Sequence, residues 1–132
     1  MEVIVATVIA TIAVLGLAHT FGTGRGLIDR YETARDAQAL IQRRLETLVM
    51  LGAKNPSAPE LVVGAASSVA IAINPQVNGT QKTEVVWVDD PFDKTAGTGD
   101  GNPNDYKRVT VTISWTQGGS TDQVSGSRIV LK

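Results

Sequence analysis

The chain has 132 residues, 42% of them hydrophobic, and a formal net charge of −1 from 12 Lys and Arg against 13 Asp and Glu. This length suggests one domain with one modest core, and the balanced charge gives neither a basic excess for nucleic acid nor a general acidic character. With no cysteine, disulfides, thiolate chemistry and cysteine-ligated zinc are excluded.

The first stretch, Met1 to Ala18, is almost wholly apolar and carries one ionisable side chain, Glu2. As a helix, Val3 to Ala18 would span ~24 Å, slightly short of a ~30 Å hydrocarbon core. A globular helix normally shows a polar face, and this one has none. The segment therefore reads as a membrane helix, or as a helix buried by copies of itself. It lacks the basic n-region of a secretory signal and a clear small-x-small cleavage site, which points to a processed terminus or a start further upstream.

Gly16, then Gly22, Gly24 and Gly26, interrupt the pattern. Each interior glycine costs a helix roughly 1 kcal/mol relative to alanine, so this section reads as soft or unwound. Two expectations follow: a linker between anchor and domain, or a helix that melts locally and stretches while its ends stay packed. Residues 1–26 are thus set apart from a globular part, residues 27–132. From Leu27 to Leu51 helical periodicity returns. Leu27, Tyr31, Ala34, Ile41, Leu45 and Leu48 form one stripe, with Gln38 at the one missing position. Gly52 stands where a left-handed C-terminal cap belongs, and Pro56 blocks resumption. Residues 1–51 as one broken rod would span on the order of 75 Å, too long for the remaining residues to cover.

Residues 53–61 read as a loop. Val69, Ile71 and Ile73 alternate with Ala70 and Ala72 as a first strand, Asn78-Gly79 suits a hairpin turn, and Thr83 to Val88 follows as its partner. Lys107 to Thr116 alternates without fault, with Val109, Val111, Ile113 and Trp115 on one face. Gly118-Gly119 turns into a last strand from about Asp122 to Leu131, where Gly126 suggests a bulge. Trp87 and Trp115 are expected in the core. The expected fold class is α+β: a helix followed by a four-stranded antiparallel meander over about 68–131, its apolar face on the helix stripe.

Between the second and third strands, Asp89 to Tyr106 holds five aspartates against one lysine. Asp100, Asn102 and Asn104 alternate as at the start of an EF-hand loop. However, Asp105 replaces the required glycine, and Val111 stands where the bidentate glutamate belongs. Two readings stay open: a calcium site of another geometry using Asp93, Asp100, Asn102 and Asp105, or an exposed loop whose Asp, Asn, Gly and Pro serve turns. Asn78-Gly79-Thr80 also matches a glycosylation sequon. His19 is the single histidine, at the edge of the apolar segment, and no nucleophile, acid–base pair or phosphate loop accompanies it. The pattern is not that of an enzyme.

Glu2-Val-Ile-Val-Ala-Thr-Val-Ile-Ala-Thr-Ile-Ala-Val-Leu-Gly-Leu-Ala18, followed by an amphipathic helix and an antiparallel sheet, resembles the type IV pilins and the pseudopilins of type II secretion. Mature chains of that superfamily carry a glutamate as their fifth residue. Met1-Glu2 resembles the fourth and fifth residues of the pattern, which implies three further mature residues and a short basic leader upstream. Trp87 to Pro91 and Asp105 to Trp115 resemble, more loosely, the sheet of minor-pilin-like and pseudopilin-like members. The disulfide that staples a pilin's C-terminal region has no counterpart here.

The resemblance implies a structural subunit of an extracellular helical filament at the cell surface, N-methylated and held in the inner membrane before an assembly machinery polymerises it. The alternative within the superfamily is a secretion pseudopilus. The chain's partner would be itself, as a homopolymer, with Glu2 meeting a neighbour's terminal ammonium in the filament core and Gly16, Gly22, Gly24 and Gly26 accommodating a local unwinding. The implied polymer needs no cofactor. Two rivals of other classes are a single-pass anchored β domain that binds a ligand or calcium without polymerising, and a secreted enzyme with a retained signal-like segment.

Overall fold

A computed structural model describes residues 2–89 and 105–130. In chain order they form helix α1 (Glu2–Lys54), a 3-10 turn (Pro59–Leu61), and strands β1 (Ser67–Asn74), β2 (Val77–Val88), β3 (Tyr106–Gln117) and β4 (Ser120–Val130). The strands make one antiparallel sheet in the order β1-β2-β3-β4. The fold is α+β, with the C-terminal part of α1 packed on the sheet, as expected. The chain divides into two units, Met1–Glu32 and Thr33–Lys132.

In the second unit, Thr33, Ala37, Ile41, Leu45, Leu48 and Gly52 of α1 are buried. Their spacing of three and four places them on one helix face. This face meets Val85 of β2, Val109, Val111, Ile113 and Trp115 of β3, and Val130 of β4. The stripe differs from the expected one at its start. Leu27 and Tyr31 are exposed, Tyr31 by 77%, and Ala37, not Gln38, occupies the buried position. Periodicity identifies an apolar face without saying what covers it.

The helix ends at Lys54 because Pro56 lacks an N–H and drives Asn55 out of the helical region. The Asn55 side-chain oxygen accepts the Ser57 N–H at 3.2 Å, an Asx turn that completes the stop. Gly52 is not the expected left-handed cap. It lies inside the helix, and a Cβ there would collide with Cγ1 of Val130. Gly126 likewise marks no bulge, since β3 and β4 stay in unbroken register through Val111↔Gly126. A Cβ at Gly126 would stand 2.8 Å from Cγ2 of Ile41 and 3.2 Å from Cδ1 of Leu45. Both glycines let backbone and helix approach closely.

The first hairpin turn also departs from expectation. Asn78 and Gly79 lie within β2, opposite Ala72 and Ile71, and the turn is at Pro75-Gln76. There the Asn74 side-chain oxygen accepts the Gln76 and Val77 N–H groups at 3.0 and 2.8 Å. Asn followed by Pro makes this turn as well as Asn-Gly does, by Asx bonding in place of positive φ. The turn between β3 and β4 is at Gly118-Gly119, as expected, with φ of 59° and 81°, a combination suited to a two-residue hairpin.

Lys107 opens the buried face of β3 and is itself buried. Its Nζ donates to the carbonyls of Pro56 at 2.8 Å and Leu61 at 3.1 Å, and lies 5.2 Å from the centroid of the Trp87 ring. Gly64 N–H donates to Val85 O at 3.1 Å. One ammonium thus satisfies two loop carbonyls and is itself satisfied, so its burial is tolerable. Trp87 is half-buried beside it, whereas Trp115 is a core residue.

Candidate assembly surface

The first unit is continuous helix from Glu2 onward, and every residue from Glu2 to Glu32 is exposed except the half-buried Gly24. Nine large aliphatic side chains between Val3 and Leu17, and Phe21 beyond them, are more than half exposed. Burying a Val, Leu or Ile side chain fully stabilises by about 1.5–3 kcal/mol, so covering this surface is worth on the order of 10 kcal/mol per chain.

The polar side chains of the segment fall into two kinds. Thr7 Oγ1 donates to Val3 O at 2.7 Å, Thr11 Oγ1 to Thr7 O at 2.8 Å, Thr20 Oγ1 to Gly16 O at 2.9 Å and Thr23 Oγ1 to His19 O at 3.0 Å. Each hydroxyl bonds back to the carbonyl one turn earlier, so its donor is satisfied within the helix in any solvent. These four threonines were not among the sequence candidates; the four-residue spacing of Thr7 and Thr11 inside an apolar run was the available signal. Among the described residues, Glu2 and His19 have no such internal bond. They bracket an apolar run of ~26 Å at 1.5 Å per residue. This run makes the helix long and apolar enough to cross a membrane, a property that a signal sequence near an N-terminus shares.

The helix passes through Gly16, Gly22, Gly24 and Gly26 without a break, so the expectation of a non-helical linker is not met in the single chain. A Cβ at any of the four would meet no atom within 4 Å. Among the described residues, packing gives no reason for glycine at these positions, which remain open to backbone softness or to close approach by another molecule.

Of the calcium candidates, Asp93, Asp100 and Asn102 lie outside the described residues. Asp105 is half-buried immediately before β3. Asn78 is exposed on β2, and so is Thr80. Comparison of the chain with known protein families, with curated proteins and with solved structures finds no match in any of the three.

Proposed function

We propose that the chain is the structural subunit of a helical filament, polymerising through residues 2–26 with the sheet-bearing unit outward. The observation that supports this most is the exposed apolar surface from Val3 to Leu17, whose threonines already satisfy their own hydroxyls. A lipid bilayer or a bundle of identical helices solvates such a surface, and water does not. The chain waits in the inner membrane, where Glu2 reaches the headgroup region at little cost. A machinery of the pilus or type II secretion kind then transfers it into the growing polymer. Each subunit contacts its neighbours heterologously and without closure, which generates a helix.

Glu2 sets the register in this scheme. A carboxylate drawn into an apolar bundle costs several kcal/mol unless paired. Losing the pairing, by misalignment or by removal of one partner, leaves a buried charge uncompensated, so correctly registered assembly is favoured over any other. A neighbour's terminal ammonium is the partner. Glu2→Ala should leave the monomer membrane-bound and the second unit folded, while filaments recovered by shearing fall at least tenfold relative to membrane-held subunit. Glu2→Gln should recover only part, because it keeps a hydrogen bond and loses the charge. Normal filament yield from Glu2→Ala would refute the pairing.

A second reading has one observation in its favour: from Thr33 onward, helix and sheet of the same chain bury a common apolar cluster. An anchored β domain that never polymerises would have such a core. Negative-stain images of cell-surface material separate the two, since this reading produces no filaments.

A further inference from the structure

We propose that Asn78 is a modification site that accepts a saccharide on its side-chain amide from a lipid-linked donor. Asn78-Gly79-Thr80 has the form of the N-glycosylation acceptor, but three residues are a short signal, and an Asn-Gly turn would explain them equally well. The fold removes that competing explanation. The turn lies at Pro75-Gln76. Gly79 is required by close packing, since a Cβ there would stand 2.7 Å from Ser114 O and 2.8 Å from Cδ1 of Ile73. Asn78 serves neither purpose, and among the described residues its side chain has no hydrogen-bond partner.

The placement suits an adduct. Side chains alternate along a strand, and Thr83 and Val85 of β2 are buried against the helix. Asn78 and Thr80 therefore stand together on the opposite face. Their partners on β1 are Ala72 and Ala70, whose small side chains leave room above the sheet. On the other side Thr80 pairs with Ser114. Asn78, Thr80, Ser114, Thr116 and Thr121 line a shallow depression of about 330 Å³, and its hydroxyls are of the kind that hydrogen-bond a sugar. A saccharide at an inward position of the same strand would displace the core; at Asn78 it lies over a hydroxylated floor.

In the transfer, the amide nitrogen Nδ2 bonds to the anomeric carbon of a sugar carried on a lipid phosphate. The bond from that carbon to the phosphate oxygen breaks with its electron pair, and one amide proton leaves to a base of the transferring enzyme. No oxidant is required. The donor is membrane-held, so the inference rests on the membrane-anchored precursor proposed above.

The test is mass spectrometry of the full chain isolated from its own cells. Lysine and arginine are absent from residues 55–81, so trypsin releases Asn55–Lys82 as one peptide. The expected result is a saccharide mass on this peptide, localised to Asn78 by fragmentation. It should be lost completely in Asn78→Gln and in Thr80→Ala, and present in Thr80→Ser. An unmodified Asn78, an adduct on Ser57, Ser67 or Ser68, or an adduct on Asn78 that survives Thr80→Ala would overturn the proposal. Filaments built from unmodified chain would overturn it while leaving the assembly reading intact. A glycosylated chain that never forms filaments would uphold it and remove that reading.

Discussion

Two halves of one helix are treated in opposite ways. From Thr33 to Gly52 each turn of α1 gives a residue to a core, whereas from Val3 to Leu17 the large apolar side chains are exposed, Val3 by 78%. The half with the more apolar sequence is the half without a core. Helix formation depends on local hydrogen bonding and propensity, and it carries through both halves alike. Burial needs a second surface. Residues 33–54 find theirs in the sheet of their own chain, while the apolar side chains of residues 3–17 find none among the described residues.

The contrast can be broken most directly by truncating one apolar side chain in each half. Leu45→Ala removes a fully buried side chain and should lower the stability of the sheet-bearing unit by about 2–5 kcal/mol. Ile9→Ala changes a residue that is 62% exposed and should leave that stability within about 0.5 kcal/mol, while reducing filament yield. Urea unfolding of the detergent-held chain, followed by the fluorescence of Trp87 and Trp115, measures the first quantity. Equal destabilisation by both substitutions would show that the halves share one cooperative structure.

A smaller effect probes what ties the loop after the helix to the sheet. Lys107→Met keeps the apolar stem but leaves the carbonyls of Pro56 and Leu61 without their donor. Hydrogen bonds to charged groups contribute about 1.5–3 kcal/mol, and a loss in that range is expected in the same unfolding measurement. An unchanged midpoint would mean that burial of Leu61 and Ala58, with the Gly64 N–H to Val85 O bond, holds the loop without Lys107.

The smallest expected change sharpens the packing of helix on sheet. Gly126→Ala places a methyl group against Ile41 and Leu45. Both contacts are side-chain ends that can give way, so the cost should be about 1 kcal/mol, at the low end for overpacking. Gly22→Ala meets open space. It should leave the sheet-bearing unit unchanged, because the helix there contributes nothing to that core. A larger loss from Gly22→Ala than from Gly126→Ala would reverse the assignment of which half is packed.

Elements whose signal is local and periodic were legible along the chain. The faultless alternation of Val109, Val111, Ile113 and Trp115 specifies β3 and its inner face, the 3.6-residue stripe through Ile41, Leu45 and Leu48 specifies the packed helix, and two adjacent glycines at 118 and 119 specify a turn. The apolar run before His19 was equally legible, since a long segment lacking a polar face has few solvents available to it. Other features depended on contacts between distant residues. Whether Gly52 and Gly126 were caps, bulges or contact points depended on what lay opposite them, and Val130 and Ile41 are distant in sequence. The first hairpin turned at Pro75-Gln76 and not at Asn78-Gly79, and Gly79 instead pairs with Ile71 and Trp115, a gain that local turn preference cannot register. Lys107 reads as an ordinary strand-edge cation, and only the fold brings it to two loop carbonyls and an indole. Local chemistry is written along the chain, but close approach is a property of pairs, and pairs exist only once the chain has folded.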